Sequence, residues 1–345
     1  MSDSYFDGSS YAPETVRYFD VAHEGAQVRL MASAVEDLAE LLGGSRPRSL
    51  VILPTDHIAR ATAHFAAGLA EPAQVPIVVA ESLPQFCGAL DVVVVIGESG
   101  EAEWASRALI TAAARGASTV LVGPTRGPLV EDAPEETWQA PTLPTAEGSS
   151  PARYITALHA IYSVLTEDPV LVTRRLEEVA EAVDRELALL TPEHDATTNP
   201  GRVLREFVEG AFVVHSCGVD RYLYSEQRAR VDMGALVARM AAAVWTVHGL
   251  GGTVVDAQEL PGVLERHRES APAAERDIFF DPQIDGDGAQ GPLVPLKIVL
   301  WGQEEANLPH ALAVSSADTE PALGDLARAL QLITRSYAAT AYDTQ

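Results

Sequence analysis

The chain has 345 residues, enough for about two domains of ordinary size, each with its own core. It carries 49 Asp and Glu against 24 Lys and Arg, a formal net charge of −25, which disfavours nucleic acid and anionic membranes as partners. Two cysteines, Cys87 and Cys217, exclude a disulfide framework; with no leader and no apolar run of roughly 20 residues, a cytoplasmic protein without a membrane span is expected.

Residues 1–23 are polar and dotted with aromatics, the expectation being an N-terminal arm. Val28, Met31, Val35, Leu38 and Leu42 recur at 3-4-3-4 spacing and predict one helix, closed by Gly43-Gly44. Short β-rich runs then alternate with helical stretches: SLVIL, PIVVA, DVVVVI, STVLVG and ETWQA. Strands that read as continuous apolar runs are buried on both faces, which predicts a parallel, flavodoxin-like or Rossmann-like layer over 45–145. A long helix follows, with Val172, Leu176, Val179, Val183, Leu187 and Leu190 on one face. It closes a first domain, 24–190, and the Pro-, Asn- and Asp-rich segment 191–201 reads as a linker.

The alternation resumes over 202–345 with AFVVH, a helix spanning QRARVDMGALVARMAAAVWTVHG, then TVVDA, DIFF and LKIVLW. A closing helix carries Leu323, Leu326, Leu330, Ile333 and Tyr337. The two halves therefore read as two copies of one α/β architecture. Asp281, Asp285 and Asp287 lie in a loop whose later positions, Ala289 and Leu296, do not supply the ligands of a calcium loop.

Gly97-Glu98-Ser99-Gly100-Glu101 follows a buried strand and opens a helix, the place where open α/β sheets bind anions on free N–H groups. Ser99 fits part of a nucleophile elbow, but Glu101 replaces the second glycine and no HGGG-type segment occurs, which argues against a serine hydrolase. Glu98, Glu101 and Glu103 would repel a phosphate unless they face away. Gly249, Gly251 and Gly252 stand between a helix and a strand, the reverse of a dinucleotide fingerprint, so no cofactor is expected. Nine histidines show no ligand spacing, and no metal is expected. His57 and His64 lie two turns apart on a predicted helix, and His215 ends a predicted buried strand.

Residues Pro76, Glu81, Leu83-Pro84, Ser99-Gly100, Glu103, Arg115-Gly116-Ala117 and Gly127-Pro128-Leu129 occur in an order and spacing that resemble the sugar isomerase (SIS) domain of bifunctional phosphoglucose/phosphomannose isomerases. NPGRVLREFVEG and LARALQLI resemble the opening and closing helices of that family's second SIS domain, so the resemblance spans about 25–345. It implies an α/β fold of two SIS-type doubly wound parallel-sheet domains, a sugar phosphate or related anion as ligand, and a homodimer.

The chain departs from the family at the residues that do chemistry. Of the S-x-S-G-N-T hydroxyls only Ser99 remains, and LPTDHIA, with Thr55 and His57, replaces the glycine-rich loop after the first strand. Thr246 aligns with the family's general-base Glu, only His267 is near the ring-opening His, and the Lys-bearing tail is missing. A positioned base contributes roughly two to four orders of magnitude to such a proton transfer. The expectation is a sugar-phosphate-binding protein lacking ordinary isomerase activity. Two alternatives stay open: an aldose–ketose isomerase of the glucose-6-phosphate or mannose-6-phosphate type with relocated catalytic groups, His215 or His267, or a protein-binding partner of carbohydrate enzymes. The candidate ligand-binding residues are Ser99, Thr125, Arg126, Thr55, His57, Ser216 and Arg221. Arg126 is expected to offset Glu98, Glu101 and Glu103, because successive parallel strands deliver both loops to one sheet edge.

Overall fold

The computed structural model describes residues 12–144, 148–218, 232–270, 294–316 and 324–344. Arg221, the DIFF run, Asp281, Asp285, Asp287 and Leu323 lie outside the described residues.

Helices α1 (Pro13–Ala22), α2 (Glu24–Ser33) and α3 (Val35–Leu42) precede the first sheet. The first alternation is β1 (Ser49–Pro54), α4 (His57–Leu69), β2 (Ile77–Val79), β3 (Asp91–Ile96), α5 (Glu103–Ala114), β4 (Ser118–Val122), α6 (Pro128–Glu131) and β5 (Trp138–Gln139). Helices α7 (Pro151–Val164), α8 (Pro169–Leu189) and α9 (Pro200–Val208) lead into the second. That one runs β6 (Phe212–Cys217), α10 (Met233–Val247), β7 (Gly252–Val254), α11 (Leu260–Ser270), β8 (Leu296–Trp301), β9 (Ala311–Val314) and α12 (Asp325–Ala339).

The helix predicted across Val28–Leu42 is two helices. The chain leaves helical geometry at Ala34 (φ −98°, ψ 0°), whose N–H bonds Met31 O three residues back. The bend does not cost the stripe its burial, since Val28, Met31, Val35, Leu38 and Leu42 are all buried. Within the stretch expected as an arm, α1 buries Tyr18 and Val21, and Glu14 pairs with Arg202 at 2.5 Å and accepts the Asp343 N–H at 2.7 Å.

Both sheets are wholly parallel. The first has the order β2-β1-β3-β4-β5 and the second β7-β6-β8-β9. Every residue of β1 and β3 is buried, and alternate side chains go to opposite faces. Leu50, Ile52, Val92, Val94 and Ile96 join the large core beneath α4 and α7, while Val51, Leu53, Val93 and Val95 pack on α5 residues Ala105, Leu109 and Ala112. In the second sheet, Val213, Val299 and Trp301 enter that same large core, and Val214, Ile298 and Leu300 pack with Leu260 of α11. The two sheets thus share one core, filled by α2, α4, α7, α8, α10 and α12. Near the end of α4, Gly68 meets Leu236 of α10 so closely that an added Cβ would stand 2.8 Å from Leu236 Cδ2.

Among the polar groups buried inside the protein are an ion pair and a histidine. Arg335 of α12 forms a two-pronged pair with Glu186 of α8, Nε–Oε1 2.7 Å and Nη2–Oε2 3.1 Å, and its Nη1 reaches Ser315 O at 2.9 Å. His215 accepts the Trp301 Nε1–H on Nδ1 at 3.1 Å and meets the Trp245 ring edge-on, centroids 4.6 Å apart. That hydrogen bond leaves the imidazole proton on Nε2, which is buried and has no partner among the described residues. No described helix is long and apolar enough to cross a membrane.

Breaking a buried pair strands its remaining charge. Arg335→Leu is expected to cost about 3 to 5 kcal/mol in urea unfolding, and adding Glu186→Leu should restore most of the loss. Desolvation pushes the His215 pKa down to about 3 from 6.5. The unfolded chain therefore takes up a proton below pH 6.5 that the folded chain refuses, so this stability is complete above 6.5 and lost as pH falls toward 3. Denaturation curves of His215→Phe should show a shallower decline over that range, by up to about 1.4 kcal/mol per pH unit. Parallel curves would refute the assignment.

Candidate functional site

In both sheets the strand order reverses beside the first strand, between β1 and β3 and between β6 and β8. Loops leaving the carboxyl ends of two such strands diverge and open a crevice, the usual ligand position of an open α/β sheet. At the first switch point the loops are Thr55-Asp56-His57 after β1 and Gly97–Gly100 after β3, with Gly123–Gly127 after β4 alongside. Gly97 has φ +134°, and a Cβ there would collide with Thr55 Oγ1 and Asp56 Oδ2, so only glycine lets the β1 and β3 loops touch. On the other side the Leu129 N–H donates to Gly100 O at 3.0 Å, and Gly100 packs against Pro124 and the Arg126 carbonyl. The structure therefore gathers the turn bearing Ser99, the segment bearing Thr55 and His57, and the loop bearing Thr125 and Arg126 at one sheet edge. His57, Thr125 and Arg126 are exposed; Thr55 and Ser99 are half-buried, and Thr55 Oγ1 finds no partner among the described residues.

Carboxylates dominate the polar groups between these loops. Asp56 is the N-cap of α4: Oδ1 accepts the Ala59 N–H at 2.8 Å, and Oδ2 accepts the Glu98 N–H at 2.8 Å. A fixed anion therefore already holds one of the N–H groups an incoming anion would use. Glu98 turns inward, its Oε1 accepting the Tyr154 O–H at 2.9 Å and facing Arg153 Nη1 at 3.4 Å. Burial raises the Glu98 pKa, opposed by the Tyr154 hydrogen bond and the Arg153 charge. Arg153 is itself buried, and desolvation lowers its pKa. Its remaining donors reach Pro141 O at 2.9 Å, Gly123 O at 2.9 Å and Ala140 O at 3.0 Å.

Two of the three carboxylates of the turn meet arginines of their own helices or neighbours. Arg153 faces Glu98, and Arg107, one turn along α5, holds Glu103 at 2.5 Å. Glu101 is exposed.

The second half supplies its predicted residues differently. His215 does not end its strand: β6 continues to Cys217, and the imidazole lies between two tryptophans rather than in a loop. Ser216 donates its hydroxyl to Val255 O at 2.7 Å. His267 is exposed on α11, and Thr246 turns its hydroxyl back onto Ala242 O at 2.7 Å. Among the described residues no three His, Cys, Asp or Glu side chains converge as metal ligands. Sequence reasoning missed Asp56, Arg153 and Tyr154. Asp56 was legible as a helix cap before HIARATAH; Arg153 and Tyr154 carry no local signal, because their partner is more than fifty residues away.

No protein-family model matches the chain, and no curated protein matches it. Solved structures do. A candidate phosphosugar isomerase from Silicibacter pomeroyi DSS-3 is similar over 94% of this chain and 96% of that one, with TM-score 0.60 and 12% identity. Tagatose-6-phosphate ketose/aldose isomerase from Escherichia coli aligns over 96% and 93%, with TM-score 0.58 and 12% identity. The C-terminal domain of glucosamine-fructose-6-phosphate aminotransferase from Francisella tularensis aligns over 93% and 92%, with TM-score 0.55 and 14% identity. The chain has the fold of the SIS-type phosphosugar isomerases, mixed α/β with two parallel sheets.

Proposed function

We propose that the protein binds a sugar phosphate or related anion in the crevice between the β1, β3 and β4 loops and does not catalyse ordinary aldose–ketose isomerisation. What carries the reading is the convergence of Ser99, Thr55 and the Thr125–Arg126 loop at the switch point of a phosphosugar-isomerase fold. Hydroxyls and a guanidinium are the donors such an anion needs.

Isomerisation also needs a base free to move a proton between adjacent carbons. Asp56 caps a helix and Glu98 is held by Tyr154 and Arg153, so neither carboxylate is free in that sense. His215 is sealed in the core, and Thr246 has no basic group. The protein works as a homodimer of two SIS-type halves, 24–190 and 202–345, in this reading.

Asp56 also favours a second reading, in which the crevice takes an amino sugar or an unphosphorylated one. One titration series separates the two. Calorimetry with glucose 6-phosphate, mannose 6-phosphate and fructose 6-phosphate should show saturable binding that Arg126→Ala weakens roughly ten- to a hundredfold, the loss of one charge-assisted hydrogen bond. Asp56→Asn keeps an acceptor at the cap but removes the charge, and should tighten phosphate binding about fivefold, or about 1 kcal/mol. Binding of glucosamine that weakens in Asp56→Asn, with none of the phosphates, would favour the second reading. A coupled assay on glucose 6-phosphate and mannose 6-phosphate should show no turnover at high enzyme concentration; turnover would overturn the non-isomerising assignment.

A further inference from the structure

The crevice lies at the carboxyl ends of the strands. A separate cavity of about 410 Å³ lies toward their amino ends, between β1, edge strand β2 and the far ends of α4 and α7. Leu50, which lines it, is five residues before Thr55 along β1, about 16 Å away in an extended strand. None of the residues that line it belongs to the crevice.

Its floor is apolar. Leu50, Ile52, Ile77 and Leu158 line it there, and all but Ile77 are buried. One wall is polar and comes from α7 and the turn after it. His159 Nε2 and the Ser163 hydroxyl face each other at 3.4 Å, one helical turn apart, with Thr166 beyond. Tyr162 closes the adjoining wall, its hydroxyl accepting the Gln74 N–H at 2.8 Å.

The charge in the lining is neutralised on the spot. Glu167, the acidic group at the rim, is gripped by both Nη atoms of Arg175, at 2.6 Å and 3.1 Å. Desolvation, with the Arg175 charge adding to it, pushes the His159 pKa down to about 4, so its ring is neutral at pH 7. A neutral imidazole and hydroxyls over an apolar floor recognise ring systems bearing a donor or acceptor, and they give no anchor to phosphate.

We propose that this cavity is a second ligand site, taking a small neutral molecule with a flat apolar ring and one hydrogen-bonding group directed at His159 and Ser163. Volume agrees with that class. A dry cavity of about 150 Å³ holds a benzene ring, so this one accommodates a fused bicycle. It also falls within the roughly 300–1,000 Å³ of ordinary ligand pockets. The site is independent of the crevice, and its test does not depend on the sugar-phosphate reading.

Indole serves as the probe, titrated into the isotope-labelled full chain while backbone amide shifts are followed. Saturable shifts confined to Ala70, Gln74, Ile77, His159 and Ser163, with Kd below about 1 mM, are expected. Ser163→Ala should weaken binding about fivefold, as for one neutral hydrogen bond. Thr166→Trp, which fills the cavity from its rim, should abolish the shifts while leaving the melting temperature intact; if it unfolds the chain, Ala70→Phe fills the cavity from the opposite wall. Shifts that spread over the surface, rise linearly without saturating, or survive the filling variant would overturn the proposal. So would shifts of the same amides with protein concentration in the absence of indole, which would mean that a second copy covers this face.

Discussion

A guanidinium removed from water must satisfy its N–H groups inside the protein, and Arg153 does so on three carbonyls of two separate connections. Gly123 follows β4, while Ala140 and Pro141 follow β5; the fourth contact is the Glu98 carboxylate after β3. Hydrogen bonds to a charged group contribute about 1.5 to 3 kcal/mol each, and leaving a buried donor unmatched costs a comparable amount. This one side chain therefore ties the loop positions at the sheet edge together, beside the close approach at Gly97 and the Asp56 cap. The helix that carries it, α7, is buried along its length apart from His159 and Tyr162, so the anchor cannot move without disturbing the shared core.

This constraint decides what the crevice can be. Glu98 would be a mobile acid in an exposed turn; bound to Arg153 and Tyr154 it becomes part of the scaffold, and its backbone N–H is turned toward Asp56. A carboxylate bridging the amides of Ala59 and Glu98 does internally what a bound anion does in an anion-binding α/β loop. The position has kept its geometry while part of its capacity is occupied by the chain itself. In the function proposed above, ligand charge would be read by Ser99, Thr55 and the exposed Thr125–Arg126 loop, at the rim of the crevice and not in its depth.

How much of this was legible follows from where the information sits. The runs SLVIL and DVVVVI have no polar alternation, and β1 and β3 are indeed buried on both faces, so the parallel layer could be read directly. Helix α7 escaped because a helix buried nearly all round has no polar face to give it a period. Its start was readable, Ser150 capping the Arg153 N–H with Pro151 in the first turn. The single helix expected over 28–42 failed at one residue, since spacing records which side is buried and not whether the axis bends. His215 was judged by its position in a run of sequence. Whether that run ended at His215 or two residues later decided between a loop and a core.

The two halves repeat a strand order but not a chemistry. Where the first sheet brings Asp56, Glu98 and Arg153 together, the second places His215 between Trp245 and Trp301, with Nε2 pressed near Gly252 so that an added Cβ would stand 2.9 Å away. One half has turned polar groups toward its loops and the other has sealed them in. Helix α7 belongs to the first half and serves both of its openings: Arg153 and Tyr154 lie under the crevice, and His159 and Ser163, about 10 to 15 Å further along the axis, line the cavity. The helix itself packs against α2, α3, α4, α8 and α12, so both sets of side chains stand on one element fixed by its helical neighbours.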